Sequence, residues 1–306
     1  MRLPFILFFL SICGLLLSGG RAQAAYAIEG DVVGAVARYT VKPKDTLYKI
    51  ARQFDVGIVE LLTANPDIDP WLPKKGTVLT LPTMHVLPAI RREGIVINLS
   101  ELRLFYFFDP YTVMTFPIGI GKKGWPTPTG VTTVIKKRRQ PVWIPPDSIR
   151  KENPDLPAFI PPGPDNPLGD YAMNLGWSGY LIHGTNRPYG VGRRSSHGCI
   201  RLYPEDIALL FSAVKEGTPV TVIDASYKLG WRHNILFLEV MPTQRQPGAV
   251  MENKKPELSD IPEVYGDVKQ VAGLAAYIDW QAVRDAVIRR SGVPVAIATR
   301  IRAEQQ

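Results

Sequence analysis

The segment Ser196-His197-Gly198-Cys199-Ile200-Arg201-Leu202 concentrates an imidazole, a glycine, a thiol and a guanidinium within five consecutive positions. A second imidazole, His183, ends the strand-like run Tyr180-Leu181-Ile182 and is followed by Gly184 and Thr185, so a strand end could present its ring. Together these residues describe a cysteine nucleophile and its base. A thiol attacks as thiolate, which calls for a positive neighbour to lower its pKa from about 8.5. His197 and Arg201 flank Cys199 and are placed to supply that field. The base must reach the sulfur and be held in one tautomer by a third group, which can be a backbone carbonyl. Gly184 is the candidate for that carbonyl. Gly198 removes a side chain beside the sulfur, leaving room for a substrate carbonyl to approach backbone N–H groups that act as an oxyanion hole. The competing reading makes Cys199 an ordinary buried thiol, since free cysteines often pack as small hydrophobes.

The cysteine count weighs against that competitor. Met1-Arg2, an apolar run from Leu3 to Leu17 and the cleavage-like Ala22-Gln23-Ala24 read as a signal peptide over residues 1–24. The apolar run is shorter than the roughly 20 residues needed to cross a bilayer; an uncleaved anchor is the alternative. Cleavage discards Cys13 and leaves Cys199 solitary in an exported chain. Exported proteins normally pair their cysteines, so a single one points to a free reactive thiol or an intermolecular bridge.

His183-Gly184-Thr185, followed by Ser195 to Leu202, resembles the signature of the L,D-transpeptidase catalytic domain, the YkuD family of peptidoglycan enzymes, of the ErfK, YbiS, YcfS and YnhG type. The likeness runs from about Gly94 to Asp224 and takes in Trp125-Pro126-Thr127-Pro128-Thr129-Gly130, similar to the family's Thr-Pro-Thr-Gly loop. The resemblance implies Cys199 as nucleophile, His183 as general base and Gly184 as the carbonyl that orients it. It also implies that His197, Gly198 and Arg201 shape the oxyanion and substrate-carboxylate site, with Thr185 and Ser196 among the substrate-binding residues. A periplasmic, cell-wall-associated enzyme is expected on the same grounds. No metal or organic cofactor is expected, because no further His, Asp or Cys cluster joins His183 and His197 in a ligand set.

The elements that position these groups fall into three stretches. With 306 residues, 45% hydrophobic and 21% charged, the chain is long enough for a full core in domains of unequal size. Its net charge of +8 suits anionic surroundings such as a cell-wall polymer or a membrane face; nucleic acid is not an expected partner.

Residues 38–83 carry a strand at Tyr39 to Val41 and a capped helix from Asp45 to Phe54 with Leu47, Ile50, Ala51 and Phe54 on one face. A second helix from Ile58 to Ala64, a turn at Asn65-Pro66 and a strand from Thr77 to Leu81 follow. This βααβ order resembles a LysM module, which implies binding of N-acetylglucosamine-containing glycans and a raised effective concentration of polymeric substrate. Lys44 stands where that family usually has Gly. A folded spacer without affinity is the alternative.

Met84 to Arg92 reads as a linker into residues 93–224. Strands are expected from Gly94 to Asn98, Leu102 to Phe108, Val113 to Ile118 and Val131 to Ile135. The fold class is therefore mainly β, and the resemblance makes it a β-sandwich-like catalytic domain with short helices. Lys136 to Tyr171 is basic and rich in proline, and a loop of that length is usually functional or disordered. It is read either as a lid with Trp143 walling the acyl-donor groove, or as a stiff surface loop with Trp143 packed on the sheet. Lys136-Lys137-Arg138-Arg139 is read as a solvated face. A helix begins at Pro204 and closes near Val214, and a strand runs from Thr218 to Ile223. Residues 225–306 form an extension with a strand from Ile235 to Val240 and an amphipathic helical stretch from Val268 to Arg290.

The expected reaction is acyl transfer through a thioester. By resemblance, Cys199 attacks the third-residue carbonyl of a peptidoglycan stem tetrapeptide, releases D-alanine and passes the acyl group to an amine. That amine belongs to another stem or to a lysine of an envelope lipoprotein. Hydrolysis by a cysteine carboxypeptidase or endopeptidase, and a non-enzymatic glycan-binding protein, are the rival readings.

Overall fold

Apolar runs between Gly94 and Pro117, with Ile95, Ile97 and Leu104 in one core and Val96, Phe105 and Phe107 in another, form the strands Gly94–Asn98, Arg103–Asp109 and Thr112–Pro117, joined as successive antiparallel hairpins. The computed structural model describes residues 25–241 and 261–301, so the leader read over 1–24 and the polar stretch 242–260 lie outside the described residues. The three strands sit in a nine-stranded sheet. From edge to edge it runs Ala25–Ala27, Thr112–Pro117, Arg103–Asp109, Gly94–Asn98, Pro219–Ile223, Gly130–Arg139, Tyr171–Leu175, Leu181–His183 and Ile200–Arg201. Strand Gly130–Arg139 joins its two halves: residues 130–133 pair with Pro219–Ile223, and after a register shift between Val134 and Lys136 the rest pairs with Tyr171–Leu175. Such a bulge bends a strand and increases its twist. Both halves thereby contribute to one core, with Ile95, Phe116, Val134, Met173, Ile182 and Leu210. The catalytic unit is mainly β, as its patterning implies.

Helix Pro204–Ala213 closes this core, with Pro204 in its first turn and Glu205 and Asp206 beside the N-terminal dipole. Lys137 Nζ donates to Phe211 O at 2.6 Å and Val214 O at 2.5 Å, satisfying carbonyls at the helix C-terminus. The basic run is therefore not the uniform solvated face that its charge suggests.

The LysM-like stretch forms strand Ala37–Thr40, helices Leu47–Gln53 and Ile58–Ala64, and strand Val78–Leu81 around Leu47, Ile50, Ile58, Leu61 and Leu79. Thr46 caps the first helix by accepting from Lys49 N at 3.2 Å, while Asp45 accepts from Lys42 N and Tyr39 Oη. Lys44 adopts φ 69°, the left-handed region that costs an ordinary residue about 1–2 kcal/mol. Replacing it with Gly removes that strain but frees the unfolded chain. Lys44→Gly is expected to stabilise the protein by about 0.5–1 kcal/mol, read as a rise in Tm; an unchanged or lower Tm would contradict this.

The presumed linker is a strand. Met84–Val86 pairs antiparallel with Val32–Gly34, so the chain entering and leaving the LysM-like unit forms one ribbon. That unit docks on the catalytic sheet through a close backbone approach: Val59 N donates to Gly192 O at 3.3 Å. A Cβ on Gly192 would lie 2.4 Å from Ile58 N, so only glycine fits there. Beside this contact Arg103 of the sheet and Glu60 of the helix form a buried ion pair, 2.8 Å between Nη2 and Oε2.

Residues 225–301 hold more structure than one strand and one helix. Strands Tyr227–Arg232, Ile235–Val240, Val295–Arg300 and Ala276–Ile278 form an antiparallel sheet in that order. The expected continuous helix from Val268 to Arg290 is two helices, Glu263–Ala272 and Trp280–Arg289. Gly273 ends the first at φ 68°, and Asp279 restarts the second by accepting from Gln281 N and Ala282 N. Leu236, Val264, Val268, Val283 and Ile297 give this unit its own core. Lys228 ties it to the catalytic sheet through a buried bridge, 2.5 Å to Glu101 and 3.0 Å to Glu239.

Candidate active site

Strand Leu181–His183 lies between antiparallel Tyr171–Leu175 and parallel Ile200–Arg201, and the parallel register sets His183 opposite Arg201. Leu202 N donates to His183 O at 2.9 Å and fixes that register. Pairing of these two short strands is what brings the base and the nucleophile's segment together. The His183 ring is buried, 3% exposed, with Nδ1 at 2.6 Å from Gly184 O. A carbonyl can only accept, so Nδ1 carries the proton and Nε2 keeps its lone pair. Burial depresses the His183 pKa to about 3, with the Arg201 charge adding to the effect and the Gly184 and Leu168 carbonyls opposing it. The resting imidazole is neutral and oriented, as a general base requires.

Cys199 leaves a tight turn. Gly198 has φ 103°, and a Cβ there would come within 2.9 Å of the Tyr180 ring, so both backbone and space call for glycine. Thr127 braces this turn from the Thr-Pro-Thr-Gly loop: its Oγ1 donates to Gly198 O at 2.7 Å and accepts from Gly121 N at 3.0 Å. Ser196 Oγ donates to Cys199 O at 2.6 Å and accepts from Gly198 N at 3.1 Å. The half-buried thiol points at Gly179 O, 3.5 Å away.

The electrostatics correct one expectation. Burial raises the Cys199 pKa, and the Leu181 amide and Arg201 charge only oppose that rise. The resting pair is thiol and neutral imidazole, with the thiol directed at Gly179 O. Alkylation of Cys199 by iodoacetamide at pH 7 should therefore be slower than for an unperturbed thiol, with a rate that keeps climbing beyond pH 8.5. On acidification the base is lost only as His183 protonates. Because its pKa is depressed, kcat/KM is expected to hold from pH 7.5 to 5, with the acid limb displaced from near 6.5 toward about 3. A thiol titrating below 7, or an acid limb near 6.5, would contradict this pair of assignments.

Cys199, His183, Arg201, His197, Ser196 and Trp143 all line one groove of about 430 Å³. Trp143 exchanges backbone hydrogen bonds with Ile160 at 2.9 and 2.8 Å, and buried Asn166 ties the proline-rich segment together through Pro141 O, Ile160 O and Pro161 O. The segment is folded, and Trp143 lines the groove. Its short helix Asp147–Glu152 reaches the nucleophile's turn, with Glu152 Oε2 at 2.9 Å from His197 Nε2 and Oε1 accepting from Trp125 Nε1 at 3.2 Å. His197 thus pairs outward with Glu152, a partner no local pattern announced.

One expected contact falls elsewhere. Thr185 is buried, 4% exposed, is not among the groove residues, and accepts from Arg187 N at 2.9 Å. Its hydroxyl stabilises the turn after the base. Ser196 reaches the groove, but its hydroxyl is committed to the Gly198–Cys199 backbone. Conversely, Arg138 and Tyr180 line the groove unforeseen. Arg138 belongs to the basic run whose charge suggests a solvated face, and strand Gly130–Arg139, pairing with Tyr171–Leu175, carries it into the groove.

The model of the YkuD family, the L,D-transpeptidase catalytic domain, matches residues 92–222, and that of the LysM domain matches residues 39–82. The probable L,D-transpeptidase YcfS of Escherichia coli K12 is 41% identical over 262 residues, covering 82% of this chain and 80% of that protein. The probable L,D-transpeptidase ErfK/SrfK of the same organism is 40% identical over 278 residues, 88% of each chain. Among solved structures, the catalytic domain of the E. faecium L,D-transpeptidase aligns with 44% of this chain and 100% of its own at 27% identity, with a TM-score of 0.35.

Proposed function

The chain belongs to the L,D-transpeptidase family, with a YkuD catalytic domain and a LysM domain, and from that membership we propose how its own residues carry out peptidoglycan acyl transfer. The observation that carries the proposal is the shared groove holding the Cys199 thiol and a buried, neutral His183 locked by Gly184. His183 Nε2 takes the thiol proton as sulfur attacks the L-centre carbonyl of the third residue in a stem tetrapeptide. The oxyanion settles on backbone amides; the Cys199 N–H has no acceptor among the described residues, whereas that of Gly198 is taken by Ser196. Collapse expels D-alanine, whose amine receives the proton from His183 and leaves a thioester on Cys199. The incoming amine then gives its proton to His183, attacks the thioester and releases the sulfur, which recovers that proton.

His197 shapes the groove wall and Arg201 attracts substrate carboxylate. Residues 38–83 hold the enzyme on glycan strands, residues 93–224 carry the chemistry, and Lys228 of the C-terminal extension, residues 225–306, braces the catalytic sheet through Glu101. A cleaved leader over residues 1–24 would deliver the enzyme to the periplasm. The acceptor amine is a second stem's side chain, with a lysine of an envelope lipoprotein as the alternative.

The test is mass spectrometry of products from purified disaccharide-tetrapeptide incubated with the protein and with Cys199→Ala. A dimer lighter than two substrates by one free alanine, absent with the variant, supports transfer to a stem. Tripeptide alone would favour water or a missing protein acceptor, and no product with either protein would sink the proposal.

A further inference from the structure

The groove around Cys199 contains two guanidinium groups, Arg138 and Arg201, and no carboxylate among its lining residues. The sheet fixes the separation of their backbones. Arg138 lies on Gly130–Arg139 and Arg201 on Ile200–Arg201, three strand positions apart, with Tyr171–Leu175 and the His183 strand between them. Three strand spacings place those backbones about 14 Å apart. Four residues of extended peptide span about the same length. A donor stem lying across the strands can therefore reach both cations while its scissile carbonyl meets Cys199.

Arg138 is built for such a contact. Its Nε donates to Asn174 Oδ1 at 3.1 Å and its Nη1 to Val142 O at 3.4 Å, so two anchors on separate segments hold the half-buried guanidinium against the groove. Among the described residues no protein acceptor takes its Nη2. On the far side, Arg201 Nε is likewise buried with no hydrogen-bond partner. Two held cations in a groove with no acidic lining residue, one of them with Nη2 untaken by any protein acceptor among the described residues, raise the local concentration of anionic ligand. The neighbouring Lys137 turns to the other face, where it satisfies helix carbonyls; of that pair only Arg138 lines the groove.

We propose that Arg138 is a specificity-determining residue that binds a carboxylate of the donor stem upstream of the scissile bond, while Arg201 serves the carboxylate nearer the leaving D-alanine. This inference rests on the transpeptidase reading above. The stem offers two carboxylates upstream, the free carboxyl of its second-position glutamate and the side-chain carboxyl of its diaminopimelate, and the experiment separates them.

Initial rates are measured for the full chain, Arg138→Ala and Arg138→Gln with three tetrapeptide donors: the free acid, one amidated at the glutamate, and one amidated at the diaminopimelate side chain. Arg138→Gln keeps an amide donor for Asn174, so it reads charge loss with less disturbance of the strand. With unmodified protein, amidating the carboxylate that Arg138 binds should lower kcat/KM about 10- to 100-fold, mainly through KM, the scale of one charge-assisted hydrogen bond. Both variants should show that loss with the free acid and discriminate less than about 3-fold between it and the relevant amide. Variants that keep the full discrimination against both amides, or a wild-type rate indifferent to either amidation, would overturn the role of Arg138 while leaving transpeptidation intact. A wild-type chain that consumes none of the three donors would instead overturn the transpeptidase reading itself.

Discussion

Replacing His183 with alanine is expected to lower kcat/KM for the tetrapeptide donor at pH 7 by roughly 10²- to 10⁴-fold, the range for losing a positioned general base. The prediction follows from the resting protonation states. Burial keeps the Cys199 proton on sulfur, so without Nε2 as acceptor little thiolate exists at neutral pH. The raised thiol pKa also sets the pH dependence of the variant. Its rate should rise about tenfold per pH unit until the thiol ionises unaided, so that the deficit narrows at high pH. Iodoacetamide should still label Cys199 in the variant, which separates loss of the base from loss of the site. A His183→Ala protein with near wild-type turnover at pH 7 would remove His183 from the mechanism.

The second large effect is on stability. Arg103 is 1% exposed, and its Nε and Nη2 meet Glu60 at 3.1 and 2.8 Å. Its Nη1 donates to Thr115 Oγ1 and its Nη2 also to Asp55 O. Desolvation works against the buried charge, yet Glu60 and Asp55 outweigh it and the Arg103 pKa is raised. Arg103→Ala strands the Glu60 carboxylate at the junction of the LysM-like helix and the catalytic sheet. Breaking such a pair costs about 3–5 kcal/mol, and a fall in Tm of about 10 °C is expected. The doubly substituted Arg103→Met, Glu60→Leu protein should recover part of that loss, because the apolar pair removes the orphaned Glu60 charge while Asp55 still loses its cation and Gly57 N its acceptor. A double variant as unstable as the single one would mean that Asp55 and Thr115, rather than the pair itself, dominate the site.

What was legible in the chain was what lies close together in it. Cys199, Gly198 and Arg201 stand within one short segment, and His183 and Gly184 are adjacent, which made Gly184 a candidate for the carbonyl that the structure sets at 2.6 Å from Nδ1. The long Pro-rich stretch also announced itself, although its folded state depends on Asn166 reaching back to Pro141. Contacts made across large separations were not legible. Glu152 meets His197, Arg138 enters the groove, and Met84–Val86 becomes a strand only because Val32–Gly34 is there to pair with it. Thr185 and Ser196 sit in the signature, but a motif does not say whether a hydroxyl faces substrate or backbone, and here both face backbone. The split of the helical stretch after Ala272 was present in the sequence, since Gly273 is a stop signal and Asp279 a cap. There the apolar periodicity on either side outweighed the punctuation between.

The most direct test of the central claim, that Cys199 carries the acyl group, is intact-protein mass spectrometry of the enzyme quenched in acid seconds after mixing with tetrapeptide donor. The account predicts a gain equal to the donor mass less one free alanine, located by fragmentation on the peptide that contains Cys199 and lost on adding an acceptor amine. Product formation without that adduct under conditions that preserve thioesters, or an adduct on any other residue, would contradict it.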